Sequence, residues 1–152
     1  MDAYLREKKK EYIEERTEPY TLEDLKVILK ILRSDEGCPW DRRQTFESMI
    51  PCVEEEAGEV VQAVRNQDAE NLCEELGDLL FQVMFYSQMA EEKGLFTFEQ
   101  VADQISAKMV RRHPGIFGKN PLKMEGKEAD LWEQVKRAEK AKKAQKTLTK
   151  QV

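Results

Sequence analysis

Apolar positions recur along the chain with the 3.6-residue period of helices, and no segment shows the alternation of a half-buried strand. Leu25, Ile28, Leu29 and Leu32 mark one face of a segment from Thr21 to Arg33. Thr21 is placed to cap it, with Glu23 and Asp24 in its first turn. A second helix is expected from Phe46 to Asn66, with Pro51 in the first turn of its main part, where no backbone N–H is needed. The third, Ala69 to Lys93, carries the longest apolar face: Leu72, Leu76, Leu79, Leu80, Val83 and Met84. Gly94 follows as a natural C-cap. Phe98 to Arg112 would bury Val101, Ala102, Ile105 and Met109 and stop at His113-Pro114-Gly115. A last helix is expected over about Lys127 to Lys146. Loops are read at Ser34 to Gln44, which holds Gly37, Pro39 and Trp40, and through Phe117, Gly118 and Pro121. Long amphipathic segments joined by short loops predict an all-α fold, an antiparallel helical bundle. So few helices with such long apolar faces predict that one subunit does not cover its own core, so that the bundle is completed by oligomerisation, as a homodimer or homotetramer.

The 152 residues suit one main domain. It is expected over 21–146, after a charged leader or surface helix at 1–20 and before a short tail at 147–152. Charged residues make up 36% of the chain and its net charge is −5, which argues against a general nucleic-acid binder. The charge is unevenly spread. From Glu47 to Asp78 there are ten acidic residues and one basic one, Arg65; from Lys136 to Lys150 there are seven basic residues and one acid, Glu139. The basic end reads first as a solvated helix. Cys38, Cys52 and Cys73 are odd in number and lack metal-ligand spacing, so reduced thiols in the cytoplasm are expected. No apolar run approaches the ~20 residues of a membrane span, and the charged N-terminus lacks a signal peptide's apolar stretch.

One acidic phrase occurs twice. Glu55-Glu56-Ala57-Gly58-Glu59-Val60-Val61 is echoed by Glu74-Glu75-Leu76-Gly77-Asp78-Leu79-Leu80. Each copy places carboxylates three residues apart, on one face of a helix. Between the copies, Asn66-Gln67-Asp68 reads as a turn. If the helices fold back about position 67, Glu59 and Glu75 each lie eight residues from it, and Glu56 and Asp78 each eleven. All four carboxylates then fall at two matched levels, roughly 12–17 Å from the turn at about 1.5 Å per residue. Scattered glutamates usually mean only a solvated face. These four, however, sit beside the apolar stripes. Gly58 and Gly77, each costing about 1 kcal/mol relative to alanine inside a helix, suggest close approach of a neighbouring helix or a ligand. Clustered carboxylates repel unless a cation sits among them, and hard oxygen ligands suit Mg²⁺ or Mn²⁺. A di-iron centre would need Glu-x-x-His pairs on two helices, and the chain has a single histidine, His113.

Lys108 and Arg112 lie one turn apart, with Arg111 adjacent. They are candidate phosphate contacts or ordinary cations at a helix C-terminus. Trp40 and Trp132, the only tryptophans, are candidates for stacking on a base or for plugging the bundle.

Taken together, the motifs resemble the MazG family of nucleoside triphosphate pyrophosphohydrolases. The signature Glu-Glu-x-x-Glu followed by Glu-x-x-Asp is present as Glu55-Glu56-Ala57-Gly58-Glu59 and Glu75-Leu76-Gly77-Asp78. Gly37-Cys38-Pro39-Trp40-Asp41 and Gln44-Thr45-Phe46-Glu47-Ser48 precede it. Arg111-Arg112-His113-Pro114, Ile116-Phe117-Gly118 and Trp132-Glu133-Gln134-Val135-Lys136 follow it. The resemblance runs from about Leu22 to Lys140 and implies a single domain of the all-α NTP pyrophosphatase type. It also implies Mg²⁺-dependent hydrolysis of a nucleoside triphosphate to the monophosphate and pyrophosphate, a role in nucleotide-pool housecleaning. Glu56, Glu59, Glu75 and Asp78 would hold the metal, with Mn²⁺ as a substitute, and Glu55 would be an outer carboxylate that orients water or helps a second metal. Lys108 and Arg112 would contact phosphate, with Arg111 beside them, and Trp132 would contact the nucleotide. Trp40, in a family block, is grouped with the substrate-binding residues. One departure is Gly58, where many members carry tyrosine.

Two alternatives remain open on the sequence. One is an all-α pyrophosphatase narrowed to a single deoxynucleotide, of the dCTP or dUTP type. The other is a non-catalytic helical interaction module that binds a divalent ion.

Overall fold

The computed structural model describes residues 1–13, 17–118, 132–137 and 140–141. Seven helices follow one another: α1 (Ala3–Ile13), α2 (Leu22–Arg33), α3 (Pro39–Arg43), α4 (Ile50–Asn66), α5 (Ala69–Glu92), α6 (Phe98–Arg112) and α7 (Pro114–Phe117). Residues 132–137 are also helical, and the described residues contain no strand. Residues 140–141 are helical as well, while 127–131, 138–139 and 142–146 of the helix expected over Lys127 to Lys146, and the loop at Pro121, lie outside the described residues. The chain divides into two compact units, Met1–Phe98 and Glu99–Val152. No helix among the described residues is long and apolar enough to cross a membrane.

The first unit is organised on the α4–α5 hairpin. Its turn falls at the expected place. Gln67 adopts the left-handed conformation at φ 56°, and its N–H closes α4 on the carbonyls of Ala63 and Val64. Asp68 then caps α5, its side chain accepting from Asn71 N at 3.1 Å. α4 begins at Ile50 rather than Phe46, after a turn at 46–49. Pro51 has no N–H to give the carbonyl of Glu47, so the helical ladder cannot extend unbroken through it. At the far end of α5, Gly94 takes φ +66°, which a side chain would resist.

α2 packs against α5 on one side and α1 on the other. Its start is a full capping box: Asp24 N donates to Thr21 Oγ1 at 3.2 Å, and Thr21 N donates to Asp24 Oδ2 at 2.8 Å. Leu25 and Leu29 join the core as the apolar stripe requires. Val27 and Ile31, outside that stripe, are buried too, because α1 lies against α2. The charged leader is therefore helical over Ala3–Ile13, and Tyr12 Oη donates to Asp24 Oδ1 at 2.9 Å.

Leu29, Met49, Met84, Phe85 and Met89 form the buried core, with Leu25, Phe46, Cys52, Phe81, Tyr86 and Phe98 packed around it. Two contacts fasten the segment ahead of α4 to α5. Tyr86 stacks on Phe46, ring centroids 6.0 Å apart, and its hydroxyl donates to the Phe46 carbonyl at 2.9 Å. Within the expected loop at Ser34 to Gln44 the chain forms α3. The Gly37 position lies so close to the end of α2 that a Cβ there would stand 2.1 Å from the Ile31 carbonyl oxygen. The neighbouring Cys38 N donates to the Leu32 carbonyl at 2.7 Å. Cys38, Cys52 and Cys73 are all free thiols.

Candidate metal centre

The hairpin register decides the site. With Gln67 at the turn, Glu56 of α4 comes level with Asp78 of α5, and Glu59 level with Glu75. One carboxylate oxygen from each of Glu56, Glu75 and Asp78 lies within 4.8 Å of the other two. Glu59 stands outside that triplet, and its carboxyl lies near enough to raise Glu75. Glu56 and Glu75 are half-buried; Asp78, Glu59 and Glu55 are exposed.

The electrostatics follow from this crowding. Partial burial raises Glu56 above its ordinary value of 4.5, and the charges of Asp78, Glu59 and Glu55 raise it further, against a hydrogen bond from Gln82. Partial burial also raises Glu75, helped by the charge and hydrogen bond of Glu59 and by Asp78 and Glu74. Among the described residues, no lysine or arginine pairs with any of these carboxylates. The donor set is all oxygen, drawn from two helices fixed by a tight turn. It fits a hard divalent cation, which would favour the ionised carboxylates that their mutual repulsion opposes.

Among the described residues, nothing beyond their own helix backbone and chain neighbours comes within 4 Å of where a Cβ would sit on Gly58 or Gly77. The neighbouring helix that two mid-helix glycines suggested is therefore not an element of the described chain. Val61 and Val64 of α4 and Leu76, Leu80 and Val83 of α5 are exposed.

The remaining candidates fall in two places. Trp40 is the second residue of α3 in the first unit and is half exposed, its carbonyl accepting from Gln44 Nε2 at 2.8 Å. Lys108, Arg111 and Arg112 end α6 in the second unit. There Trp132 joins Arg112 and His113: the Arg112 guanidinium lies 5.2 Å from the indole centroid, and the His113 ring 5.0 Å from it. Arg111 is exposed, with Nη1 directed at the Ala107 carbonyl at 3.5 Å, and Lys108 is half-buried. On sequence His113 is a helix stop and a member of the Arg111-Arg112-His113-Pro114 block with no contact assigned to it, and Gln82 is not singled out. The signal for Gln82 was legible: a polar residue inside the apolar run Phe81 to Phe85, one turn beyond Asp78.

Comparison with known proteins bears on this hairpin. Residues 44–117 match the MazG nucleotide pyrophosphohydrolase domain, a span that includes all five carboxylates and Lys108, Arg111 and Arg112. This stretch is a MazG domain. The nucleoside triphosphate pyrophosphohydrolase of Escherichia coli K12 is 45% identical over 125 residues, covering 82% of this chain and 48% of that protein. The Thermotoga maritima protein named nucleoside triphosphate pyrophosphohydrolase/pyrophosphatase MazG is 45% identical over 121 residues, covering 80% of this chain and 46% of that protein. The chain thus spans about half the length of these curated relatives. A crystal structure of a mazG-related protein from Thermotoga maritima superposes with a TM-score of 0.60 at 26% identity, covering 76% of this chain and 99% of that one. The all-α fold, expected from helical periodicity, is the fold observed among the described residues, and the MazG type that the resemblance implied is that of the superposed relative.

Proposed function

We propose that the chain hydrolyses nucleoside triphosphates to the monophosphate and pyrophosphate, with Mg²⁺ held by Glu56, Glu59, Glu75 and Asp78. The observation that carries this reading is the triplet Glu56, Glu75 and Asp78, brought within 4.8 Å from two helices of a MazG domain with no cation of the described residues paired to it. Mg²⁺, when bound, neutralises phosphate charge and activates water. The residues supply position. Glu56 and Glu75, half-buried on a hairpin with a fixed turn, hold their carboxylates without further reorganisation. Exposed Glu55, next to Glu56 in the chain, is suited to orient the attacking water. Lys108, Arg111 and Arg112 are assigned to the triphosphate, and Trp132 and Trp40 to the nucleotide. Water adds to the α-phosphorus, the bond from that phosphorus to the bridging oxygen breaks, and pyrophosphate leaves with the electron pair.

The wider role is clearance of unwanted nucleotides in the cytoplasm, where three free thiols are at home. The active domain is taken to extend over 21–146. The exposed Val61, Val64, Leu76, Leu80 and Val83 support self-association through the hairpin, with a second copy of the chain as the occupant.

Turnover of a panel of ordinary, deoxy and modified nucleoside triphosphates in ¹⁸O-water tests the reaction. The label is expected in the monophosphate. Label in inorganic phosphate, or in pyrophosphate alone, would refute attack at the α-phosphorus. Turnover of one deoxynucleotide alone would move the reading to a single-substrate enzyme.

A further inference from the structure

Gln82 is the one polar side chain buried in the stretch of α5 next to the acidic triplet. It is 5% exposed, and its neighbours in sequence Phe81, Met84 and Phe85 all belong to the core or pack against it. It lies one helical turn beyond Asp78, on the same face of α5. Its side-chain amide lies beside the Glu56 carboxylate across the hairpin and favours the ionised form of that carboxyl. A carboxylate only accepts, so the amide nitrogen is the donor. The other end of the amide is different: Gln82 Oε1 is buried and has no hydrogen-bond partner among the described residues.

A buried acceptor without a donor weakens a fold, and leucine or methionine would fill this volume without that penalty. What glutamine offers here that they cannot is its N–H on Glu56. Each half of the amide therefore points to the same conclusion. The oxygen shows that the residue is not there for the core, and the nitrogen shows where it acts.

We propose that Gln82 is a positioning residue of the metal centre. Its Nε2–H holds the Glu56 carboxylate turned toward Glu75 and Asp78, so that the triplet presents its oxygens to a cation already arranged. This rests on the reading of the triplet as a metal site. Outer partners of metal ligands act in this way, restricting the ligand's rotation before the metal arrives.

The test is Mn²⁺ binding to the purified full chain by calorimetry, compared with thermal melting of the same samples in EDTA. Gln82→Leu removes the donor and the unpaired acceptor together. It is expected to melt at or above the wild-type temperature in EDTA, and to bind Mn²⁺ about 10- to 100-fold more weakly. Gln82→Met, with the original chain length, gives the same comparison should the leucine variant fold poorly. Ser87→Ala is the control. Ser87 is also buried on α5, but its hydroxyl donates to the Val83 carbonyl at 2.8 Å, so Mn²⁺ affinity should not change. Folded Gln82 variants that bind Mn²⁺ within twofold of wild type would overturn the role of Gln82 and leave the metal site standing. Wild-type protein that takes up no Mn²⁺ would overturn both.

Discussion

Glu59 and Glu75 face each other from the two helices of one hairpin, and the Glu59 carboxyl is among the groups that raise Glu75. Two carboxylates so placed repel each other, and this has a consequence for stability. The folded chain raises Glu75 above its ordinary 4.5, chiefly through partial burial, so the folded state holds more protons there than the unfolded one. Its effect on stability is therefore unfavourable above pH 4.5 and vanishes below it. In EDTA, Glu75→Gln should melt with the wild type below about pH 4.5 and at a higher temperature as pH rises toward neutrality. Saturating Mn²⁺ should reverse that order, since only the wild type keeps the full ligand set. A melting difference that is flat with pH would show that Glu75 carries no such strain.

Lys108 is half-buried near the end of α6, one turn before Arg112, which lies against Trp132. Its assignment to phosphate predicts that Lys108→Ala lowers kcat/KM about 10-fold or more, with the melting temperature little changed. Steady-state kinetics on one good substrate decides this. An unchanged kcat/KM would place Lys108 on a purely solvated face.

Phe85 is fully buried at the centre of the core, with the Arg33 guanidinium 5.2 Å from its ring centroid. Arg33 in turn grips Glu92 through Nε at 2.8 Å and Nη2 at 2.7 Å, tying α2 to the end of α5. Phe85→Ala should cost about 3–5 kcal/mol in denaturant unfolding, the usual range for an aromatic removed from a packed core. A loss under about 1 kcal/mol would mean that this part of the core is loosely packed.

Leu76, Leu80 and Val83 form one exposed stripe on α5, at i, i+4 and i+7. If a second copy covers it, wild-type protein should sediment as a dimer or larger, and Leu80→Lys should shift it toward the monomer. A wild type that is monomeric at tens of micromolar would remove this face from any self-association.

Much of the hairpin was legible because its signals are local. Asn66-Gln67-Asp68 breaks two strongly periodic segments, and a pivot at 67 fixes which acid faces which by counting alone. The level pairing of Glu56 with Asp78 and Glu59 with Glu75 is the pairing observed. Helices α3 and α7, of five and four residues, are too short to show a period. The burial of Val27 and Ile31 depends on α1 arriving from elsewhere, which no stripe on α2 reveals. Gln82 looked like a break in an apolar face, and its role depends on a partner 26 positions earlier in the chain. Gly58 and Gly77 suggested a close neighbour, yet the space beside each is open. A helix pattern shows that room is kept without showing what fills it.

The central claim is that the paired carboxylates of the α4–α5 hairpin are the site of pyrophosphate release. Pyrophosphate produced from nucleoside triphosphates by wild type and by Asp78→Asn, each with Mg²⁺ and with EDTA, tests it most directly. The account predicts release by wild type with Mg²⁺, none in EDTA, and a loss of about 100-fold or more in folded Asp78→Asn. Release by Asp78→Asn at the wild-type rate, or release by wild type undiminished in EDTA, would contradict it.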